Sequence, residues 1–177
     1  LTVTDYLGVP FSTYQAAPAD FQGVGRRFTV RGQIELPAGG DPVLVIDDYG
    51  HHPAEIRATL SAAKAGFPGR RILVAFQPHR YSRTRDLLDD FASAFADATV
   101  VCVTDIYAAG ESPIPGITSA ALVDRIQRTG HPAAYHVASR QALPSTLAPL
   151  IGPGDLVLTL GAGDISQTAD DLLALPR

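Results

Sequence analysis

From residue 43 onward, short unalternated apolar runs take turns with stretches in which apolar residues recur every three or four positions. The runs VLVI (43–46), RILVAF (71–76), TVVCVTDI (99–106), AAYHV (133–137, the weakest) and DLVLTL (155–160) have the length and β-branched content of strands. Between them, 53–65 sets Ile56, Leu60 and Ala63 on one helical face, and 84–95 turns Leu87, Leu88, Phe91 and Phe95 inward. Helices are also expected over 119–129, 141–150 and 165–175, the second short or irregular because of Pro144 and Pro149. Gly66 and Gly130 stand where a left-handed residue would end a helix. Five strand–helix units with unalternated strands predict an α/β fold: a Rossmann-like, mostly parallel sheet with helices on both faces and right-handed crossovers.

Residues 1–40 break this rhythm. LTVTDYLGVPFSTYQAAPADF is helical in parts but interrupted by Pro10 and Pro18, FTVRGQIEL alternates like an exposed strand or hairpin, and PAGGDP (37–42) reads as a linker. The expected division is 1–36 as a short remnant of a preceding domain and 37–177 as the compact domain. Residues 1–20, without partners from that domain, are expected to be mobile or repacked.

Composition narrows the function classes. The 177 residues are 46% hydrophobic and 18% charged, with a net charge of −4, so no basic field invites nucleic acid or an anionic membrane. Cys102, the only cysteine, lies in a strand that reads as buried, which fits a reducing compartment. With no run of membrane-spanning length and no signal peptide visible, a cytoplasmic location is expected. The chain contains no methionine and starts at Leu1, which reads as a fragment or a processed chain.

Ligands of open α/β sheets sit beyond the carboxyl ends of the strands, and three polar clusters fall there: DDYGHHP (47–53), QPHRYSRTR (77–85) and GAGDI (161–165). Each alone also reads as a solvated loop with helix caps, and GAGDI lacks the full G-x-G-x-x-G. In the second cluster His79, Arg80, Arg83 and Arg85 crowd the start of a helix, where the dipole disfavours cations. A bound carboxylate or phosphate held by forked guanidinium groups explains such crowding; reaching solvent, or pairing with Asp86, Asp89 and Asp90, is the alternative. Adjacent His51 and His52 point apart, and no cysteine or second carboxylate completes a zinc pattern with His79, so no metal site is expected. His131 and His136 read as structural or exposed. Asp47 and Asp48 alternate across a strand, so only one can face a given site. Lys64, the only lysine, is followed by Ala65 inside a helix, so the chain holds no Walker A word.

The words FQGVGRRF (21–28), DDYGHHPAEI (47–56), FQPHRYSRTRDLLDDFA (76–92), DIYAAGESPIPG (105–116) and GAGDI (161–165), in this order, resemble the L-alanine-adding branch of the Mur ligase family, three-domain ATP-dependent ligases of peptidoglycan synthesis. The resemblance covers nearly the whole chain from Phe21. The related murein tripeptide ligases resemble DDFAHHP but lack the HRYSRTR word. The resemblance implies that 1–36 is the tail of the central ATP-binding domain and 37–177 the third, Rossmann-like, amino-acid-binding domain. It implies an ATP-dependent carboxylate–amine ligase adding L-alanine to UDP-N-acetylmuramate. ATP and Mg2+ would serve the full-length enzyme, the phosphate cradle would lie outside this chain, and the chain alone would be inactive. It also implies that Tyr49, His51, His79, Arg80 and Arg83 line the L-alanine site and that Arg27 and Asp48 reach ATP. Physically, Arg80 and Arg83 suit the alanine carboxylate, and His51 or His79 could orient the amine or, if held neutral, take its proton. Another amino-acid-adding ligase of the family, or a non-catalytic anion- or nucleotide-binding α/β module, is the alternative.

Overall fold

Unalternated apolar strands need cover on both faces, and the computed structural model, which describes residues 6–14 and 25–175, provides it. Strands β1 (Thr29–Ile34), β2 (Val43–Asp48), β3 (Ile72–Phe76), β4 (Val100–Thr104), β5 (Ala134–Val137) and β6 (Leu156–Leu160) form one sheet in the order β1-β2-β6-β3-β4-β5. All neighbours run parallel except β1, which pairs antiparallel with β2. Helices are α1 (Phe11–Tyr14), α2 (Pro53–Gly66), α3 (Tyr81–Asp86), α4 (Leu88–Ser93), α5 (Ser119–Arg128), α6 (Leu143–Leu147) and α7 (Gln167–Leu173).

Alternate strand residues supply two cores. Ile46, Val74, Phe76, Val101, Val103 and Leu158 face α2, α4 and α5 through Ile56, Leu60, Phe91, Leu122 and Ile126. Val45, Leu73, Ala75, Cys102 and Val157 face α6 and α7 through Leu143, Leu147, Ala169 and Leu172. The chain moves from β2 to β5 with its helices on one face, then returns to β6 with α6 on the other. Face and direction reverse together, so the crossovers keep one hand. Phe76, Phe91 and Phe95 are fully buried, with ring centroids 5.6 Å and 5.3 Å apart in the two pairs that Phe76 makes. Each such burial stabilises the fold by roughly 1.5–3 kcal/mol. Cys102, on β4, is fully buried, and desolvation pushes its thiol pKa up to about 11.

Several details differ from the sequence reading. The helix expected over 84–95 is two short ones, α3 and α4, broken at Leu87 (φ −119°, ψ 22°). Gly66 is the last residue of α2 rather than the residue beyond its cap; Phe67 caps it, and Gly69 takes the positive φ of 83°. Gly130 does follow the α5 cap with φ 88°. The irregular 141–150 stretch is a 3-10 turn, α6 and a second 3-10 turn, with Pro144 and Pro149 each in a first turn, where a missing N–H costs nothing. The alternating FTVRGQIEL segment is β1, an edge strand with Val30 exposed and Ile34 buried. The expectation for 1–20 falls largely outside the described residues, as does the start of the FQGVGRRF word.

Candidate functional site

Parallel strands end together, so the segments after β2, β3, β4 and β6 meet at one edge of the sheet. Pleating sends the two aspartates that close β2 to opposite faces, as expected. Asp47 is fully buried: its Oδ1 accepts from the Thr159 hydroxyl at 2.6 Å and its Oδ2 from Arg26 Nε at 2.8 Å. Arg26 also donates to the carbonyls of Gly161 (2.6 Å) and Gly163 (3.2 Å), tying the turn before β1 to the GAGDI loop. Asp48, 5% exposed, accepts from the backbone N–H of Phe28 (2.8 Å) and Gly50 (2.7 Å), one donor on each oxygen.

Beyond Asp48 the chain turns through Gly50 into α2. His52 is the N-cap, and its Nδ1 accepts from Ala54 N–H. Glu55, at the third helical position, accepts from the N–H of both His51 (2.9 Å) and His52 (3.1 Å), completing a capping box. Burial raises the Glu55 carboxyl pKa, but the two backbone N–H bonds, His51 and Arg27 outweigh it and hold the group below the usual range. Arg27, half exposed, lies 3.7 Å from Glu55, and both Arg26 and Arg27 stand over the Tyr49 ring, at 5.2 Å and 5.7 Å.

The segment after β3 brings the second word against the first. The His79 ring lies 5.8 Å from that of His51, which in turn meets Tyr49 edge-on at 5.2 Å. On its other side His79 stacks on Tyr107, 5.4 Å away and tilted by 12°. Reciprocal backbone bonds, Tyr107 N–H to Pro78 O and Arg80 N–H to Tyr107 O, both 2.8 Å, hold that stack. Arg83 reaches back one helical turn, donating from Nη1 to the His79 carbonyl at 3.1 Å and to His79 Nδ1 at 3.4 Å. Burial pushes the His79 pKa down; Arg83, His51 and Arg80 push the same way, and Glu111 opposes them. Glu111 is fixed by the Ser82 hydroxyl (2.6 Å) and N–H (2.9 Å), which keep its carboxyl below the usual range.

Thus Tyr49, His51, His79 and Arg83 form one cluster with Arg27 at its margin. Arg80 is exposed beside it at a left-handed φ of 76°, a conformation that costs a non-glycine residue of order 1–3 kcal/mol and that gathers at functional sites. Arg85 pairs with Asp86 at 2.7 Å in solvent and does not join the cluster. The GAGDI loop closes the floor: Gln77 donates to Asp164 at 2.8 Å, and a Cβ on Gly161 would stand 2.8 Å from the Gln77 carbonyl. Arg26, Glu55, Tyr107 and Glu111 were not singled out from sequence. All four stand inside words that carry the family resemblance, but only Glu55 had a signal of its own position, three residues after a capping residue. Among the described residues no three His, Cys, Asp or Glu side chains gather as a metal site. Among them, too, no helix is long and apolar enough to cross a membrane.

This constellation can pin a small anion against forked guanidinium groups and present imidazoles to its neighbour. Comparison with known proteins gives the chain's relatives. A UDP-N-acetylmuramate–L-alanine ligase of Geobacter sulfurreducens is 51% identical over 174 residues, 98% of this chain and 36% of that protein. Its counterpart in Sorangium cellulosum is 53% identical over 176 residues, again 98% and 36%. The chain therefore spans about a third of the length of these curated relatives. A solved UDP-N-acetylmuramate–alanine ligase from Thermotoga maritima superposes with a TM-score of 0.74 at 30% identity, over 97% of this chain and 34% of that one. A murein peptide ligase from Psychrobacter arcticus shares the fold, with a TM-score of 0.67 at 23% identity, over 89% of this chain and 31% of that one. The family described as Mur ligase, glutamate ligase domain, matches residues 26–163, and the chain belongs to the Mur ligase family.

Proposed function

We propose that these residues form the C-terminal, amino-acid-binding part of a cytoplasmic ATP-dependent ligase that joins L-alanine to UDP-N-acetylmuramate in peptidoglycan synthesis. The observation that carries the reading is the meeting of DDYGHHP and HRYSR in one cluster, Tyr49–His51–His79–Arg83, in a chain half identical to ligases of that name. In such a reaction ATP phosphorylates the sugar-nucleotide carboxylate, and the amine of alanine then displaces phosphate from the acyl carbon. This chain's task is positioning. Arg83, braced on His79 and supported by Arg80, pairs with the alanine carboxylate. Arg27 offers an exposed guanidinium to phosphate charge, and Asp48, with a lone pair left on each oxygen, suits a ribose hydroxyl. On the same reading 1–36 continues from the central ATP-binding domain and 37–177 is the third domain, with the phosphate cradle and Mg2+ held outside these residues. The 177 residues alone are then expected to release no phosphate from ATP with alanine.

The test is Arg83→Ala in the full-length protein. Losing a charged partner of a partly desolvated carboxylate costs about 1.5–3 kcal/mol, which is roughly ten- to a hundredfold or slightly more in KM for L-alanine. Arg83→Lys recovers only part, because an ammonium has no fork. An alanine kcat/KM within about twofold of wild type, or an equal weakening of ATP, would defeat the assignment. A wild type that prefers another amino acid would point to a different ligase of the family.

A further inference from the structure

The two histidines of the cluster are in different tautomers. A carbonyl oxygen only accepts, so the 3.0 Å contact between His51 Nδ1 and the Tyr49 carbonyl puts a proton on Nδ1. Neutral His51 therefore keeps its lone pair on Nε2, which has no hydrogen-bond partner among the described residues. A guanidinium only donates, so Arg83 Nη1, 3.4 Å from His79 Nδ1, finds the lone pair there. Neutral His79 then carries its proton on Nε2. The second bond from Arg83, to the His79 carbonyl, holds the guanidinium alongside the ring, and the Tyr107 stack fixes the ring plane.

We propose that His51 Nε2 accepts the proton of the incoming amino acid's ammonium, while His79 acts only as a donor through Nε2–H and orients the bound substrate. This rests on the reading of the cluster as an amino-acid site. In the step, an ammonium N–H bond breaks and its electron pair stays on nitrogen, giving the nucleophile. An Nε2–H bond forms, and the positive charge passes to the imidazole of His51. The groups facing His51 suit that charge. From α2, Glu55 lies 3.6 Å from Nδ1, and from the end of β2 the Tyr49 carbonyl takes the Nδ1 proton. From the segment after β3, His79 faces it as a neutral ring, because burial and Arg83 disfavour its protonation. Arg27, 3.7 Å from Glu55, offsets part of that carboxylate's charge, and Arg26 is committed to Asp47. His79 cannot exchange roles: protonating its Nδ1 would set an N–H against the Arg83 guanidinium.

The experiment uses the full-length protein, with alanine-dependent phosphate release read for L-alanine and for 3-fluoro-L-alanine, whose ammonium is more acidic. His51→Asn keeps a donor near the Nδ1 position for the Tyr49 carbonyl but removes Nε2. It is expected to lower kcat about a hundredfold or more with little change in the alanine KM, and the deficit is expected to shrink with the fluoro substrate. His79→Ala is expected to raise the alanine KM, and His79→Gln, whose amide N–H stands near Nε2, to recover part of it. Circular dichroism on each variant separates these effects from misfolding. The assignment is overturned if His51→Asn turns over like wild type, if its deficit is the same for both amines, or if His79→Gln gives the proton-acceptor pattern instead. Absence of alanine-dependent turnover in the wild type would sink the functional reading itself, a different result from an active wild type without this pattern.

Discussion

Arg26 shows how much one side chain can decide. Its backbone sits at φ 58°, and its guanidinium bonds Asp47 and the carbonyls of Gly161 and Gly163, so one residue joins the turn before β1, the end of β2 and the loop after β6. Truncating it leaves the fully buried Asp47 with only the Thr159 hydroxyl. Arg26→Ala is therefore expected to cost about 2–4 kcal/mol in urea unfolding, a discount on the 3–5 kcal/mol of a wholly buried pair because a quarter of the arginine side chain is in water. Arg26→Lys should recover little, since one ammonium cannot reach all three acceptors; a loss under about 0.5 kcal/mol for Arg26→Ala would refute the clamp. In the sequence Arg26 and Arg27 are indistinguishable neighbours. Which one turns inward depends on the left-handed turn at Arg26 and on which face each of Asp47 and Asp48 takes, neither of which is written in residue type. Tyr49, His51, His79 and Arg83 were legible because they stand in words placed at strand ends, where topology forces convergence.

Among the elements, α2 is the most self-contained. Pro53 opens it, His52 caps it, and Glu55 closes the box onto His51 and His52. Because the folded state holds the Glu55 carboxyl below its ordinary value of 4.5, the unfolded chain binds more protons as pH falls through that region. The cap's contribution is thus fully present above about 4.5 and is lost as pH drops through the lower, folded value. In Glu55→Gln the acid side of a melting-temperature profile should flatten below that pH, and a profile superimposable on wild type would rule the cap out as its cause. The His79 shift gives a separate loss of stability, starting as pH falls through 6.5, which the Glu55 variant leaves in place. Element type was readable from the apolar runs and from Pro144 and Pro149. The break at Leu87 was not, because its periodicity suits one helix; there the His79–Arg83 segment must turn towards β2 while Phe91 stays in the core.

For the whole molecule, the parallel sheet was legible because its strands are apolar on both faces, which only a two-sided cover satisfies. The place of β1 was not. An alternating strand shows that one face is buried but not which edge it joins, and its pairing with β2 is set by tertiary contacts such as Ile34 in the core of α6 and α7. Lys64, in α2, pairs with Asp97 at 2.5 Å, so the only ammonium side chain of the 177 residues is engaged on a helix surface rather than offered to phosphate.

The burial of Cys102 has a practical corollary. A protonated thiol sealed within β4 reacts with an alkylating reagent only when the sheet opens, so its labelling rate is a built-in gauge of unfolding. A solute that binds the folded edge slows labelling by the factor 1 + [L]/Kd when opening is in rapid equilibrium. Mass spectrometry of this single thiol can thus rank L-alanine, other amino acids and ATP as ligands without any turnover. Labelling as fast in native buffer as in urea would show that the strand is not sealed.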